Sequence, residues 1–238
     1  MKLDILAIGV HPDDIELACA GTLLKQISLG NKVGLLDLTR GELGTRGTPE
    51  LRLQEAENAR QLMGAEIRDN VGIADGFFQY DTETVKKIIP FLRKYRPEIV
   101  LCNTKNDRHP DHGRAAKLVA DACYYSGLKM IVTEMDGEIQ QEWRPKQTYH
   151  YIQDYHMEPD FVVDISDYFD KKIELVMAFS SQFYNPNSEE KDTPISSKAF
   201  IDFLEARAIS YGRPIGAKYG EGYTVNRYVG VKDLFDLS

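Results

Sequence analysis

The sequence predicts an α/β fold, a doubly wound and mostly parallel sheet covered by helices on both faces. Two observations lead to this prediction. Four short apolar segments, rich in branched residues, alternate with segments whose apolar residues recur at helical spacing. Residues that typically begin or end helices lie between these segments. Such alternation is typical of a three-layer α/β arrangement.

The first strand and the first helix have the clearest patterns. Residues 3–10, LDILAIGV, form a nearly continuous apolar run, which is typical of a strand buried on both faces. Residues 15–29 then carry apolar side chains at helical spacing, and Gly30 is suited to end that helix. Residues 32–38, KVGLLDL, predict a second strand, which a loop rich in Gly and Thr follows.

The next helices and strands continue the same alternation along the chain. Thr48 and Pro49 are typical of a helix N-cap and a first helical position, and Gly64 is typical of a helix end. Asp81 is likewise suited to begin a helix. The resulting assignment is a helix at 48–64, a strand within 66–73, a helix from Asp81 to Tyr95 that Pro90 kinks, and a strand at 98–103.

The expected strand order, 3-2-1-4, makes the first and fourth strands neighbours at the point where ligands of such sheets bind. Beyond residue 127 the alternation is less regular. We therefore expect one domain over residues 1–238, with a Rossmann-like half at about 1–127 and a smaller part at about 128–238. The elements predicted in the smaller part are strands at 147–153 and 161–165, a helix from Ser166 to about Phe183, a surface loop at 184–194, and a helix from Ser196 to Ile209.

Composition argues against several classes of function. A net charge of -8 and a pI near 5.2 disfavour binding to nucleic acid, which requires a basic surface. No apolar segment approaches 18 residues, so we expect no membrane association and a cytoplasmic location. Three widely spaced cysteines provide neither a disulfide framework nor a CxxC metal pair.

The tripeptide His-Pro-Asp occurs twice, each time directly after a predicted buried strand. The two copies lie in GVHPDDIEL, residues 9–17, and RHPDHG, residues 108–113. Each copy provides two polar residues at spacing i, i+3, namely His11 with Asp14 and His109 with His112. Where a strand is followed by a helix, two side chains at this spacing can bind the same metal ion. Two imidazoles and one carboxylate with an open position form the ligand set of a catalytic zinc site, and Fe²⁺ or Co²⁺ also accepts it. Spacing alone leaves open whether Asp13 or Asp14, and whether His109 or His112, binds the ion.

Two other interpretations of the first copy are weaker. A dinucleotide site needs G-x-G-x-x-G after the first strand, whereas this turn reads GVHPDDIE, and its carboxylates would repel phosphate. Alternatively, Asp13 and Asp14 only complement a helix dipole. Two copies that converge on one crevice favour the metal site over both.

Taken together, HPDDIE, HPDH and the intervening TRGELGTRGTPELRLQEA at 39–56 closely resemble the PIG-L/LmbE family of zinc-dependent N-acetylglucosaminyl deacetylases. KYGEGY at 218–223 resembles the family's C-terminal signature. Within the family, the chain is most similar to the enzymes of bacillithiol biosynthesis that deacetylate N-acetylglucosaminyl malate. The resemblance implies an LmbE-like fold, Zn²⁺ as cofactor, a small-molecule N-acetylglucosaminide as substrate, and a homo-oligomer such as a hexamer.

The resemblance also implies roles for individual residues. His11, Asp14 and His112 would be the metal ligands, and Asp13 the general base. His109, in its protonated form, would stabilise the tetrahedral oxyanion. Asp111 would orient His109, unless its side chain only caps a helix. Arg52 and Arg108 would bind the malate carboxylates.

Three alternatives stay open from the sequence. The aglycone could be inositol, another sugar or a thiol conjugate instead of malate. A metal-binding module without turnover would also use the two His-Pro-Asp segments, although it has no need for a second carboxylate beside the ligand. A nucleotide-binding module would bind its ligand without metal. His150, outside both motifs, is expected to be a core or surface histidine and not a fourth ligand.

Overall fold

The computed structural model describes residues 1–236, and a seven-stranded sheet lies at its centre. A separate hairpin of two short strands lies outside this sheet. The strands are β1 Ile5–Gly9, β2 Val33–Asp37, β3 Ile67–Asn70, β4 Ile99–Asn103, β5 Glu134–Met135, β6 Glu138–Ile139, β7 Gln147–Tyr151, β8 Phe161–Asp164 and β9 Gly220–Val225.

The order of the main sheet is β3-β2-β1-β4-β7-β9-β8. Strands β1 to β4 and β7 run parallel to one another, and β9 is antiparallel to both of its neighbours, β7 and β8. The predicted α/β class and the 3-2-1-4 order of the first four strands are therefore confirmed. The carboxyl ends of β1 and β4 lie side by side at the middle of the sheet.

In the described part of the chain, six α-helices cover the two faces of the sheet. Alternate residues of β1 face opposite layers: Leu6 and Ile8 pack with side chains of the third and fourth helices, whereas Ile5 and Ala7 pack with the first and fifth. The helices are α1 Asp14–Ser28, α2 Pro49–Met63, α3 Thr82–Tyr95, α4 Pro110–Tyr125, α5 Phe169–Met177 and α6 Lys198–Gly212.

The predicted helix boundaries in the first half agree closely with the structure. The Thr48 side chain accepts a hydrogen bond from the Leu51 amide at 3.2 Å, and the Asp81 side chain accepts one from the Thr84 amide at 2.8 Å. Gly64 ends α2 in the left-handed conformation, at φ +82°. The caps were predictable because each depends on residues within one helical turn.

The C-terminal part differs from the prediction at one helix and at three strands, β5, β6 and β9. The helix expected from Ser166 to about Phe183 is a short 3₁₀ turn followed by α5, which ends at Met177. The chain leaves the helix there because Ser180 and Ser181 turn toward α2, where their hydroxyl groups donate to the Glu55 carboxylate. Strand β9 was not predicted, although it contains most of the KYGEGY segment.

Within residues 1–236, no helix combines the length and the apolar character that crossing a lipid bilayer requires.

A buried cluster of charges connects α1 to the edge of the sheet. The Arg68 guanidinium of β3 donates to Asp37 of β2 at 2.8 Å and to Glu16 of α1 at 2.6 Å. All three side chains are at most 4% exposed. Burial raises the pKa of Glu16, and the Arg68 charge opposes this shift. The cluster therefore depends on Arg68 to keep two carboxylates ionised beneath the first turns of α1.

We predict that Arg68→Met destabilises the protein by about 3–5 kcal/mol, because it leaves two buried carboxylates without a counter-charge. Urea unfolding monitored by circular dichroism measures this change. Lys198→Met is the matched control, since its ion pair with Asp202 is well exposed and is expected to contribute less than about 1 kcal/mol. Equal stability of the two variants would contradict the prediction.

Candidate active site

The two His-Pro-Asp segments meet at the carboxyl ends of β1 and β4. The centroid of the His11 ring lies 4.7 Å from that of His109 and 5.6 Å from that of His112. The two rings of the second segment are 5.2 Å apart. Residues almost 100 positions apart in the chain therefore form one cluster of imidazoles, because the strands that precede them are neighbours in the sheet.

The Asp14 carboxylate lies at the centre of this cluster. Its Oδ2 accepts hydrogen bonds from the Val10 and His11 amides, both at 3.0 Å, and from Asn103 Nδ2 at 3.1 Å. Its Oδ1 accepts from Gln153 Nε2 at 2.7 Å. Burial alone would raise the pKa of Asp14, but the neighbouring histidines hold it well below its usual value. The carboxylate is thus fixed in position and ionised.

Two further carboxylates fix the histidine rings. His11 Nε2 lies 3.0 Å from Asp75 Oδ1, and His112 Nδ1 lies 2.8 Å from Asp107 Oδ2. Because an ionised carboxylate can only accept, these ring nitrogens carry the protons. The opposite nitrogens face Asp14, with His11 Nδ1 at 3.6 Å and His112 Nε2 at 3.3 Å from its oxygens, where their lone pairs can bind a metal ion in place of a proton.

This donor set fits a divalent metal ion such as zinc. Two imidazole nitrogens and one carboxylate face one another, and the outer nitrogen of each ring is held by a carboxylate, as is usual for histidine ligands. Burial alone would lower the pKa of His112, yet Asp14 and Asp107 raise it to about 9. The cluster thus favours an added positive charge, which a metal ion would supply in place of protons.

In the described chain, two groupings of ligand atoms lie within 4.8 Å of one another, and neither contains Asp14. One joins His11, His109 and His112, and the other joins His11, Asp75 and Asp111. The His109 Nδ1 is already an acceptor for the Asp111 amide at 3.3 Å. In the second grouping, Asp75 accepts from His11, and Asp111 contacts the Arg114 guanidinium. Both groupings are therefore less suited to a metal than the set built on Asp14.

Asp13 lies beside Asp14 but contacts different groups. Its φ of +138° is strained for a residue other than glycine, and its side chain is 6% exposed. Its Oδ2 accepts a hydrogen bond from Arg52 Nη2 at 3.1 Å. Burial raises the pKa of Asp13 to about 7, although the Arg52 charge opposes the shift. A buried carboxylate with this pKa is suited to exchange protons near neutral pH.

Arg52 and Arg108 differ in how they present their charge. Arg52 is buried and donates to the Pro12 and Gly41 carbonyls as well as to Asp13, whereas the expected role was to grip a substrate carboxylate. Gly41 permits this approach, since a Cβ there would lie 2.0 Å from Arg52 Nη1. Arg108 is 41% exposed at the cavity wall, and its Nε donates to Asp154.

His109 and Asp111 make contacts that their expected roles do not include. Burial lowers the pKa of His109, which favours the neutral ring over the protonated form that the resemblance implies. With Nδ1 accepting from a main-chain amide, the proton of this neutral ring is on Nε2. The Asp111 carboxylate accepts from the Gly76 amide and contacts Arg114, so its side chain is engaged away from His109.

Four polar residues around the site were not predicted from the sequence. They share one signal, since each lies at or soon after the carboxyl end of a parallel strand, where this fold binds ligands. They are Asp75 after β3, Asn103 at the end of β4, Asp107 in the loop after β4, and Gln153 after β7. His150, by contrast, is buried and bonded to Asn103 and Asn226, as a core histidine should be.

A cavity of about 470 Å³ opens above the imidazoles, large enough for a small sugar conjugate. Among the residues that the structure describes, no tyrosine lines this cavity. Its wall combines the polar cluster with apolar side chains, of which the main ones are Leu17, Leu43, Phe77, Ile195 and Phe200.

Comparison with known proteins places this site in a family. Residues 6–123 match the family model PIG-L, described as GlcNAc-PI de-N-acetylase. The solved structure of a conserved protein from Thermus thermophilus superimposes with a TM-score of 0.85 and 33% identity, covering 96% of this chain and 97% of that one. The chain belongs to the PIG-L family.

Curated relatives of this PIG-L protein include named deacetylases. The diacetylchitobiose deacetylase of Thermococcus kodakarensis is 29% identical over 92% of this chain and 81% of its own length. A probable N-acetyl-α-D-glucosaminyl L-malate deacetylase of Bacillus anthracis is 24% identical over 79% of this chain and 84% of its own length. Family membership and these relatives support an N-deacetylase that acts on N-acetylglucosamine conjugates.

We predict that Asp75→Asn and Asp107→Asn each weaken zinc binding by about 10- to 100-fold, because each change frees one histidine ring to rotate or to change tautomer. Competition with a chelating dye measures the dissociation constant. Asp154→Asn is the control, since it removes a carboxylate of the same cavity that contacts Arg108 and none of the histidines. Unchanged affinity in both ring-holding variants would argue against the assigned ligands.

Proposed function

We propose that the protein is a zinc-dependent hydrolase that removes the acetyl group from N-acetylglucosaminyl malate. The observation that carries this proposal is a second carboxylate, Asp13, that lies in the cavity next to the ligand set without belonging to it. Bacillithiol biosynthesis, a cytoplasmic location and a homo-oligomeric assembly form part of the proposal through the family resemblance.

Each residue of the site has its own role in the proposed deacetylation. His11, Asp14 and His112 would hold zinc, which supplies Lewis-acid polarisation of the acetyl carbonyl and lowers the pKa of water. Asp13 accepts the proton of the attacking water, and His109 donates from Nε2 to the oxyanion that develops on the carbonyl oxygen. Asp13 then returns its proton to the departing amine. Acetate and a free glucosamine amine are the products.

Two other functions were compared with deacetylation of N-acetylglucosaminyl malate. The similarity to the Thermococcus kodakarensis enzyme favours diacetylchitobiose as a second candidate, since this relative matches most of both chains. A module that only holds metal is less compatible with the site, because it has no use for a strained and buried carboxylate that contacts no ligand.

We predict zinc-dependent release of amine that favours N-acetylglucosaminyl malate over diacetylchitobiose, N-acetylglucosaminyl inositol and N-acetylglucosamine. An amine-reactive fluorophore measures turnover by the zinc-loaded protein, by the protein stripped with a chelator, and after zinc is restored. Preference for diacetylchitobiose would replace the proposed substrate. Turnover that survives stripping would remove the metal from the proposal.

We predict that Asp13→Asn abolishes turnover and leaves zinc bound, because it removes the base and keeps all three ligands. Zinc content is measured after gel filtration, alongside activity. Asn is nearly the same size as Asp, so a variant that still binds zinc serves as its own control for folding. Full activity would exclude Asp13 from the mechanism.

We predict that Arg52→Gln lowers kcat by a similar factor on all four substrates, because Arg52 positions Asp13. The loss of its positive charge also raises the pKa of Asp13 above about 7, so the acidic limb of the pH profile moves to higher pH. Steady-state kinetics between pH 5 and 9 measures both effects. A rise in KM confined to the malate conjugate, with an unchanged pH profile, would instead favour direct contact between Arg52 and malate.

A further inference from the structure

Three arginines line the active-site cavity, and one of them lacks a carboxylate partner. Arg52 pairs with Asp13 at 3.1 Å, and Arg108 pairs with Asp154 at 2.8 Å. The third is Arg207, on α6. Among the side chains that the structure describes, no carboxylate oxygen lies within 4.0 Å of its guanidinium nitrogens.

The surroundings of Arg207 leave most of its hydrogen-bonding capacity free. Its Nη2 donates to the Leu17 carbonyl at 2.8 Å, and its Cζ lies 5.5 Å from the centre of the Phe203 ring. A guanidinium has five N–H groups, and these contacts with the protein satisfy a small part of them. The side chain is partly buried, and burial lowers the pKa of Arg207, although the more distant charges of Glu221, Asp154 and Asp107 oppose this shift. A positive charge placed in this way is costly unless an anion joins it.

The rest of the cavity makes this position distinctive. Carboxylates surround the imidazole cluster, and Asp154 already neutralises Arg108. If an anionic group of the substrate lay near the imidazole cluster, where the acetamide reacts, the carboxylates around that cluster would repel it. Arg207 therefore provides the cavity wall with a cation that has no direct carboxylate contact, on an element separate from both His-Pro-Asp segments.

We infer that Arg207 binds a carboxylate of the aglycone while the acetamide lies at the imidazole cluster. This inference rests on the proposed function and adds a specificity-determining residue to it. A guanidinium can grip a carboxylate with two parallel hydrogen bonds, which gives both affinity and orientation. The conjugate of a dicarboxylic acid is then preferred over neutral conjugates of similar size.

The test varies the charge of the substrate and of residue 207 together. The substrates are N-acetylglucosaminyl malate and its dimethyl ester, which has the same skeleton without charge. The variants are Arg207→Gln and Arg207→Lys, with Arg213→Gln as the matched control. Arg213 is exposed in the 3₁₀ turn after α6 and lies outside the cavity wall.

For the diacid, Arg207→Gln is expected to lower kcat/KM by about 10- to 100-fold, mainly through KM, because a charged hydrogen bond pair is lost. For the diester, the same variant is expected to change kcat/KM by less than about threefold, which also shows that its fold is intact. Arg207→Lys should recover part of the loss, and Arg213→Gln should match the wild type on both substrates.

Equal effects of Arg207→Gln on the diacid and the diester would overturn the inference, as would a wild-type enzyme that does not distinguish the two. Calorimetric binding of the product, glucosaminyl malate, separates this inference from the proposed function because it does not depend on turnover. Tenfold or more weaker binding by Arg207→Gln would support the role of Arg207 even if the deacetylation failed, and equal binding would refute it.

Discussion

The position of the Asp14 carboxylate is the constraint on which the site depends. It is the first residue of α1, and it accepts hydrogen bonds from the end of β1, from Asn103 of β4 and from Gln153 just after β7. One carboxylate therefore joins three adjacent parallel strands where they end. The two imidazoles that face it are aligned by strands that are rigid because they are buried on both faces.

The outer contacts of the histidines extend the same constraint. Asp75 follows β3 and Asp107 follows β4, so the carboxylates that hold the rings also come from strand ends. Proton positions in the cluster are thus set by the topology of the sheet and not by the ring residues alone. Beneath this layer, the charge cluster around Arg68 connects α1 to β2 and β3.

Local patterns predicted the first half of the fold well. The strands β1 to β4 and the caps of α2 and α3 depend on apolar runs and on single residues such as Thr48 and Asp81, whose effects act within a turn. The end of α5 was not predictable in this way, because Ser180 and Ser181 leave the helix to contact Glu55, more than 120 positions away. Strand β9 likewise forms only where β7 and β8 receive it.

The site itself was predictable only in part. The paired His-Pro-Asp segments indicated where a metal would bind, whereas the choice of ligands and base came from family resemblance and not from spacing. The contact between Arg52 and Asp13, and the contact between the Arg207 guanidinium and the Leu17 carbonyl, arise from packing between distant elements, so no local pattern marks them.

The strained backbone at Asp13 places stability in opposition to the proposed role of this side chain. A φ of +138° suits glycine, so a glycine there would relieve the strain while it removes the carboxylate. Selection for heat tolerance alone would therefore favour loss of this carboxylate, and selection for its proposed role as base would retain the strain. Residue 13 is consequently a position at which engineering of a more robust enzyme must leave the native side chain unchanged and seek its gains elsewhere in the chain.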